Sequence, residues 1–558
     1  MIRIFFLALL GLSVSTQAKE ISPYEQQRLI LLKNTDVLPP QPDTHPVNWV
    51  YNREGVIPPQ CYTQTKGINN PCYVCHQNSR TGRENTMNDG ALQIAYSFSD
   101  EGMTNHWKNL FQDRTQAVAA ISDNAILDWV NQDNYSELAQ RLAQADYKGW
   151  IPDLKNLTQG KKAFDQYGFA KDKSGWVAFN YKPFPSTFWP TNGSTDDVMI
   201  RLPKIYQQNA QEKYSQDVYR ANLAILEAKI KGFSEIGSLP INEKNIGSDL
   251  NQDGKLSIIR EIKKVDQYVG AAHKEFIDTH LYPKGTEFLH TVRYLGFDKK
   301  GIIVNSNRMK EVRYMRKWKA YPKSVYARKY QLEGFEKEAG NLPGYHLIGD
   351  HGLDNGTGWS VSGFIEDSHG RLRGNTFEEN FFCMGCHNTI GSTIDKTFSF
   401  ARKIDGAKGW GYINLHQQQD VATYGEKQGE FLTYFERVGG GDEFRSNEEM
   451  LTKWFDQQGQ VKRDAVQSVK SLHELITPSR ERAMILNKAY KTIVMEQSYI
   501  YGRDARITAP LNVYKKVDNE TAPVLPSSAF YHWDIRLQWQ NDTEIKSTND
   551  VVDNKNVN

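Results

Sequence analysis

Cys72-Tyr73-Val74-Cys75-His76 and Cys383-Met384-Gly385-Cys386-His387 are the two stretches that decide how this chain is read. Both carry the spacing Cys-x-x-Cys-His. Residues i, i+3 and i+4 share one face of a helical turn, so two sulfurs and one imidazole point the same way. Two thioether bonds and one axial nitrogen on one side of a macrocycle are what covalent haem attachment requires. The spacing therefore predicts two covalently bound haem c groups, held by Cys72 and Cys75 and by Cys383 and Cys386, with His76 and His387 as the proximal iron ligands. A zinc site or a disulfide is the competing use of each cysteine pair.

The surroundings point to export. Residues 1–18 read as a secretory signal, with Arg3 ahead of an apolar run over 4–14 and Thr16-Gln17-Ala18 as a small-residue cleavage site. The periplasm is the expected destination, and haem attachment outside the cytoplasm agrees with it. The apolar run is shorter than the ~20 residues of a bilayer span, and no later stretch replaces it, so no transmembrane segment is expected. No cysteine follows the cleavage site, and no lipid anchor is expected there. Lys+Arg 68 against Asp+Glu 66 leaves the chain near neutral, which speaks against a nucleic-acid binder.

An α+β fold is expected, with mainly helical haem-binding regions, long ordered loops and a β-rich segment at about 286–365. The strand signal is the alternation of Phe288, His290, Val292 and Tyr294, then Val312, Tyr314, Arg316 and Trp318, then Trp359, Val361, Gly363 and Ile365. A last strand is expected at Ile535, Leu537 and Trp539. Helices are expected at Pro23 to Lys33, Thr104 to Phe111, Ser122 to Val130 and Ser136 to Gln144, along Val218, Ala221, Ile225 and Ala228 up to Gly232, and after a Thr477-Pro478 cap. The expected organisation is an N-terminal haem domain over 19–150, a loop and helical region over 151–285, a second haem domain over 286–540 and a disordered tail over 541–558.

Three further sites follow. Asp249, Asn251, Asp253 and Ser257 occupy positions 1, 3, 5 and 9 of an EF-hand-like calcium loop with Gly254 at position 6; Arg260 stands at position 12, leaving Glu261 to close it one place late. Calcium is the second candidate cofactor. His106, beside Trp107 and Phe111, is the candidate distal ligand of the first haem, and His351 that of the second, with His346 and His416 as rivals. Cys61 is the odd cysteine once four are assigned.

The two Cys-x-x-Cys-His segments resemble the attachment sites of c-type cytochromes. That resemblance implies an exported dihaem electron-transfer protein working with a redox partner protein or a small-molecule electron donor or acceptor. Two haems and a calcium are, more distantly, similar to the bacterial dihaem cytochrome c peroxidases. This implies the alternative of a peroxidase or oxygenase, an oxidoreductase using one haem as its reaction site.

Overall fold

The computed structural model describes residues 57–65, 69–77, 89–94, 98, 102–187, 189–339, 345–388, 390–441, 447–518, 520, 522, 524–532 and 534–539. The expected signal, the helix at Pro23 to Lys33 and the 541–558 tail lie outside them.

The fold is α+β. Its centre is an antiparallel sheet of eight strands in the order β1-β2-β5-β6-β9-β8-β7, with β10 paired to β9. The strands are β1 Val177–Ala178, β2 Thr195–Arg201, β5 Glu287–Phe297, β6 Ile303–Lys317, β7 His346–Leu347, β8 Leu353–Asp354, β9 Trp359–Glu366 and β10 Leu372–Gly374. β3 Ile236–Asn242 and β4 Ile258–Ile262 form a separate hairpin. The three alternating stretches of the sequence are β5, β6 and β9, and they lie side by side, β6 between the other two.

Both faces of this sheet are covered. Met199, Leu289, Val312, Tyr314 and Phe364 form one apolar layer. On the other face Val198, Ile200, Phe288, Met315 and Val361 join a core that also takes Tyr73, Cys383 and Met384 from the two Cys-x-x-Cys-His segments. Side chains alternate across a strand, so this second face also carries Asp196, His290, Glu311 and Arg313, in register pairs His290 with Arg313 and Asp196 with Val292.

Helix Gln216–Lys231 forms where the 3.6-residue period indicates. The Ser215 hydroxyl accepts the Val218 amide at its start, and Gly232 leaves it at φ 73°. Helix Asp123–Asn131 is capped by Ser122 in the same way. Other expectations need correcting. Thr104 to Phe111 holds only a 3-10 turn, Lys108–Phe111, because the Trp107 amide is taken by the Asn105 side chain two residues back. Helix Arg480–Glu496 is capped by Ser479 rather than Thr477-Pro478. Ile535 to Trp539 makes a single bridge, Leu537 to Thr423, and no strand. Among the described residues no helix is long and apolar enough to cross a membrane.

Candidate functional site

The two Cys-x-x-Cys-His segments meet. The first is a 3-10 turn, Pro71–Val74, opened by Asn70, whose side chain accepts the Cys72 amide at 3.1 Å. The His76 amide closes back onto the Cys72 carbonyl at 2.8 Å. The second follows helix Phe377–Met384, which a Thr376/Glu379 capping box starts and whose end carries Cys383; the His387 amide bonds the Cys383 carbonyl at 3.0 Å. Both segments therefore place their cysteines and histidine on one turn, as the spacing predicts.

One loop, residues 390–397, joins them. The Ser392 amide donates to the Cys75 carbonyl at 3.1 Å. The Gly391 amide donates to Asp89 Oδ2 at 3.1 Å, and the same oxygen accepts His76 Nδ1–H at 3.0 Å. At the far end of the loop the Lys396 carbonyl accepts His387 Nδ1–H at 2.8 Å. Carboxylates and carbonyls only accept, so both rings carry their hydrogen on Nδ1 and leave Nε2 as the remaining nitrogen. Among the described residues no hydrogen bond engages either Nε2. Burial, reinforced by the nearby Arg313 and His290, lowers His387 to about 4, so its imidazole is neutral at ordinary pH.

Cys383 is buried, Cys72, Cys75 and Cys386 are half-buried, and all four thiols are protonated. Burial pushes Cys72 up to about 12 and Cys386 up to about 11, and it raises Cys383 as well. Cys75 is raised well above the ordinary thiol value by burial and then by Cys386, Cys61, Cys72 and Asp89. Thiols from both segments thus feel one another, and Cys61, the odd cysteine, acts on Cys75 as well.

Charged groups of the sheet back the second segment. Glu311 accepts from Arg313 Nε at 2.8 Å and from Arg503 at 2.7 Å; burial works against its charge, but the two guanidiniums hold it at about 2. Both guanidiniums lie over the Phe382 ring, at 6.0 and 4.5 Å, and Trp107 meets the same ring edge-on at 5.2 Å. Asp196 accepts from His290 at 3.0 Å and from the Tyr181 hydroxyl. Sequence reasoning placed none of Asp196, His290, Glu311 and Arg313 at a site; their local signal is a polar residue where strand alternation calls for an apolar one.

The other site residues disperse. His106 is half-buried next to Trp107, close to the second segment through that ring. His351 ends an exposed 3-10 turn, Gly349–His351, between β7 and β8, and His346 pairs with Asp354 in those strands. His416 is exposed and stacks on His473 at 3.8 Å. Asp249, Asn251, Asp253 and Ser257 lie in the β3–β4 turn, where Asp249 accepts the Gly254 amide at 2.8 Å. Glu261 stands in β4 opposite Gly237, four residues past Ser257, and does not close the turn. Glu243, missed in the sequence, does so instead: its buried carboxylate accepts the amides of Leu250 at 2.6 Å, Asn251 at 3.4 Å and Ser257 at 3.0 Å. Among the described residues no group of three or more His, Cys, Asp and Glu side chains is arranged to hold a metal ion.

Fold and junction together define an α+β protein with a half-buried thiol–imidazole junction. A family model described as "-like lipoprotein" matches residues 45–475. An uncharacterized lipoprotein of Aquifex aeolicus (strain VF5) is 31% identical over 547 residues, covering 87% of this chain and 92% of that protein. The chain belongs to this lipoprotein family. No solved structure matches it.

These relatives overturn the expected kinship. The family is one of lipoproteins, and neither match is described as a cytochrome or a peroxidase. The dihaem-cytochrome identity, its electron-transfer function and the peroxidase or oxygenase alternative are corrected accordingly. The physical reason is that Cys-x-x-Cys-His constrains one turn of backbone and nothing in front of it. Here the first segment is bonded to the loop that follows the second, through Ser392 on the Cys75 carbonyl and Gly391 on Asp89.

Proposed function

We propose that this lipoprotein-family chain is exported to the periplasm and that the junction is its functional site, a place where a metal-centred prosthetic group is held by His76 and His387. The observation that carries this reading is the pair of imidazoles fixed through Nδ1 by Asp89 and by the Lys396 carbonyl. A partner on Nδ1 sets the tautomer and aims Nε2 as a ligand. A bare ion needs three or four protein ligands, whereas a group that brings its own donors needs one from each histidine. The protonated thiols add weakly polar sulfur at the same place.

Chemically, such a group supplies the metal. The chain's own residues orient the two rings, exclude water with Tyr73, Phe382 and Trp107, and set a positive field through Arg313 and Arg503. Protein isolated from the exported fraction is expected to contain a stoichiometric transition metal, reduced in His76→Ala and in His387→Ala with the fold retained. Metal-free protein from that fraction, or variants with undiminished metal, would refute the reading. Fractionation of spheroplasts tests the compartment: release of the chain with periplasmic markers, directly or after detergent, is expected, and retention with cytoplasmic markers contradicts it.

A further inference from the structure

Helix Lys323–Glu338 follows β6 after the turn Trp318 to Pro322. It packs inward through Tyr326 and Tyr330, which close a small apolar cluster with Leu281. Each residue turns the helix by ~100°, so Arg328, Leu332 and Phe335 point the opposite way. Leu332 is 60% exposed and Phe335 58%, and at a spacing of three they form one apolar ridge along the outside. Trp318, at the head of the turn, is 40% exposed. A single exposed apolar residue needs no explanation, but an outward ridge on a helix already packed through its other side does.

The charge of this stretch is one-sided. No Asp or Glu stands between Glu311 and Glu333, and residues 318–332 carry Lys319, Lys323, Arg328 and Lys329. The cations border the aromatic head of the helix. The Lys319 ammonium lies 5.9 Å from the Trp318 ring and 4.8 Å from the Tyr321 ring, and Lys329 reaches the same Tyr321 ring from the helix at 5.5 Å. Of the neighbouring acids, Asp278 is paired with Lys323 at 3.2 Å, and Glu275 is offset by the exposed Lys284. Glu333 is half-buried on the inward side, where it adds to burial in raising the Tyr345 hydroxyl. Glu336 stands ~100° round the helix from Phe335. Lys319, Arg328 and Lys329 therefore leave this face positive.

We infer that this face docks on the surface of a bilayer containing anionic phospholipid. Leu332 and Phe335 enter the headgroup layer, Trp318 sits at its level, and Lys319, Arg328 and Lys329 meet the phosphates. A convex ridge on the far side of a helix suits a fluid surface that moulds to it, whereas a protein partner must bring a groove of matching shape. The face stands apart from the thiol–imidazole junction and needs nothing from it.

Co-sedimentation of the full chain with vesicles tests this. Vesicles of phosphatidylglycerol and phosphatidylcholine in equal parts are expected to bind it about tenfold more tightly than vesicles of phosphatidylcholine alone, and ~0.5 M salt to remove the difference. Arg328→Glu, and Leu332→Ser combined with Phe335→Ser, are each expected to weaken binding about tenfold. All three positions are exposed, so the urea midpoint is expected to stay where it is. Lys299→Glu, at an exposed position in the β5–β6 turn, makes the same change of charge elsewhere and is expected to bind as the parent does. Equal binding to the two vesicles, binding unchanged in both weakening variants, or an equal loss in Lys299→Glu would overturn the inference. So would a lipid-free dimer that the Leu332 and Phe335 substitutions dissociate, which would assign the face to a second copy of the chain.

Discussion

Ser392 donates its amide to the carbonyl of Cys75 at 3.1 Å, tying a loop beyond the second Cys-x-x-Cys-His segment to the first. One residue earlier, Gly391 shares the Asp89 carboxylate with His76. The loop from Gly391 to Lys396 thus holds both imidazoles, one through Asp89 and one through its own carbonyl. The junction exists because these few bonds close a long stretch of chain.

Gly391 is where that closure is tightest. A Cβ there would stand 2.2 Å from Asp89 Oδ1 and 2.8 Å from the Gln77 carbonyl, so an alanine must push the two segments apart. Gly391→Ala is expected to cost about 1–3 kcal/mol, the usual penalty of overpacking. Urea unfolding measures it. An unchanged midpoint would show that the loop yields freely.

What the sequence showed, and what it hid, follow from range. β5, β6 and β9 were legible because alternation is a property of neighbours, and helix Gln216–Lys231 because Ser215 and Gly232 punctuate it. The one-turn geometry of each Cys-x-x-Cys-His was legible for the same reason. That the two turns meet was not: Gly391 and Asp89 lie 302 residues apart, and no local pattern records such a contact. Glu243 escaped notice because a glutamate in a polar stretch does not announce that three amides will converge on it. The function inferred from the motifs failed at the same point, since spacing fixes a turn and leaves its surroundings open.

Glu366 makes stability depend on pH. Burial raises its carboxyl from 4.5 to about 8, against the pull of Arg308 and the Tyr294 hydroxyl. A group whose folded value is raised contributes stability that is complete below its unfolded value and is lost as pH climbs through the folded one. Stability is therefore expected to decline between about pH 5 and pH 8 by ~1–3 kcal/mol. Glu366→Gln, neutral throughout, is expected to flatten that decline. Lys310, lowered by burial to about 7, acts above that pH in the opposite sense. Parallel pH profiles of the two proteins would remove Glu366 from the account.

Calcium at Asp249, Asn251 and Asp253 remains a proposal with a direct test. Chelated protein is expected to take up calcium in the millimolar range usual for exported modules, and Asp249→Asn to abolish it. No heat of binding up to about 10 mM would end the proposal. Independently of calcium, Glu243→Gln replaces an acceptor of three amides by a group that is partly a donor. It is expected to cost ~1–3 kcal/mol and to speed amide exchange at Leu250 and Ser257.

The central claim is that the junction carries a group. The most direct test is the intact mass of the denatured protein taken from the exported fraction, set beside the mass of its polypeptide. A mass above the polypeptide, with the increment mapped by peptide analysis to Cys72, Cys75, Cys383 or Cys386, is the predicted result, and the increment identifies the group. A mass equal to the bare polypeptide, with all five thiols open to alkylation, would contradict it.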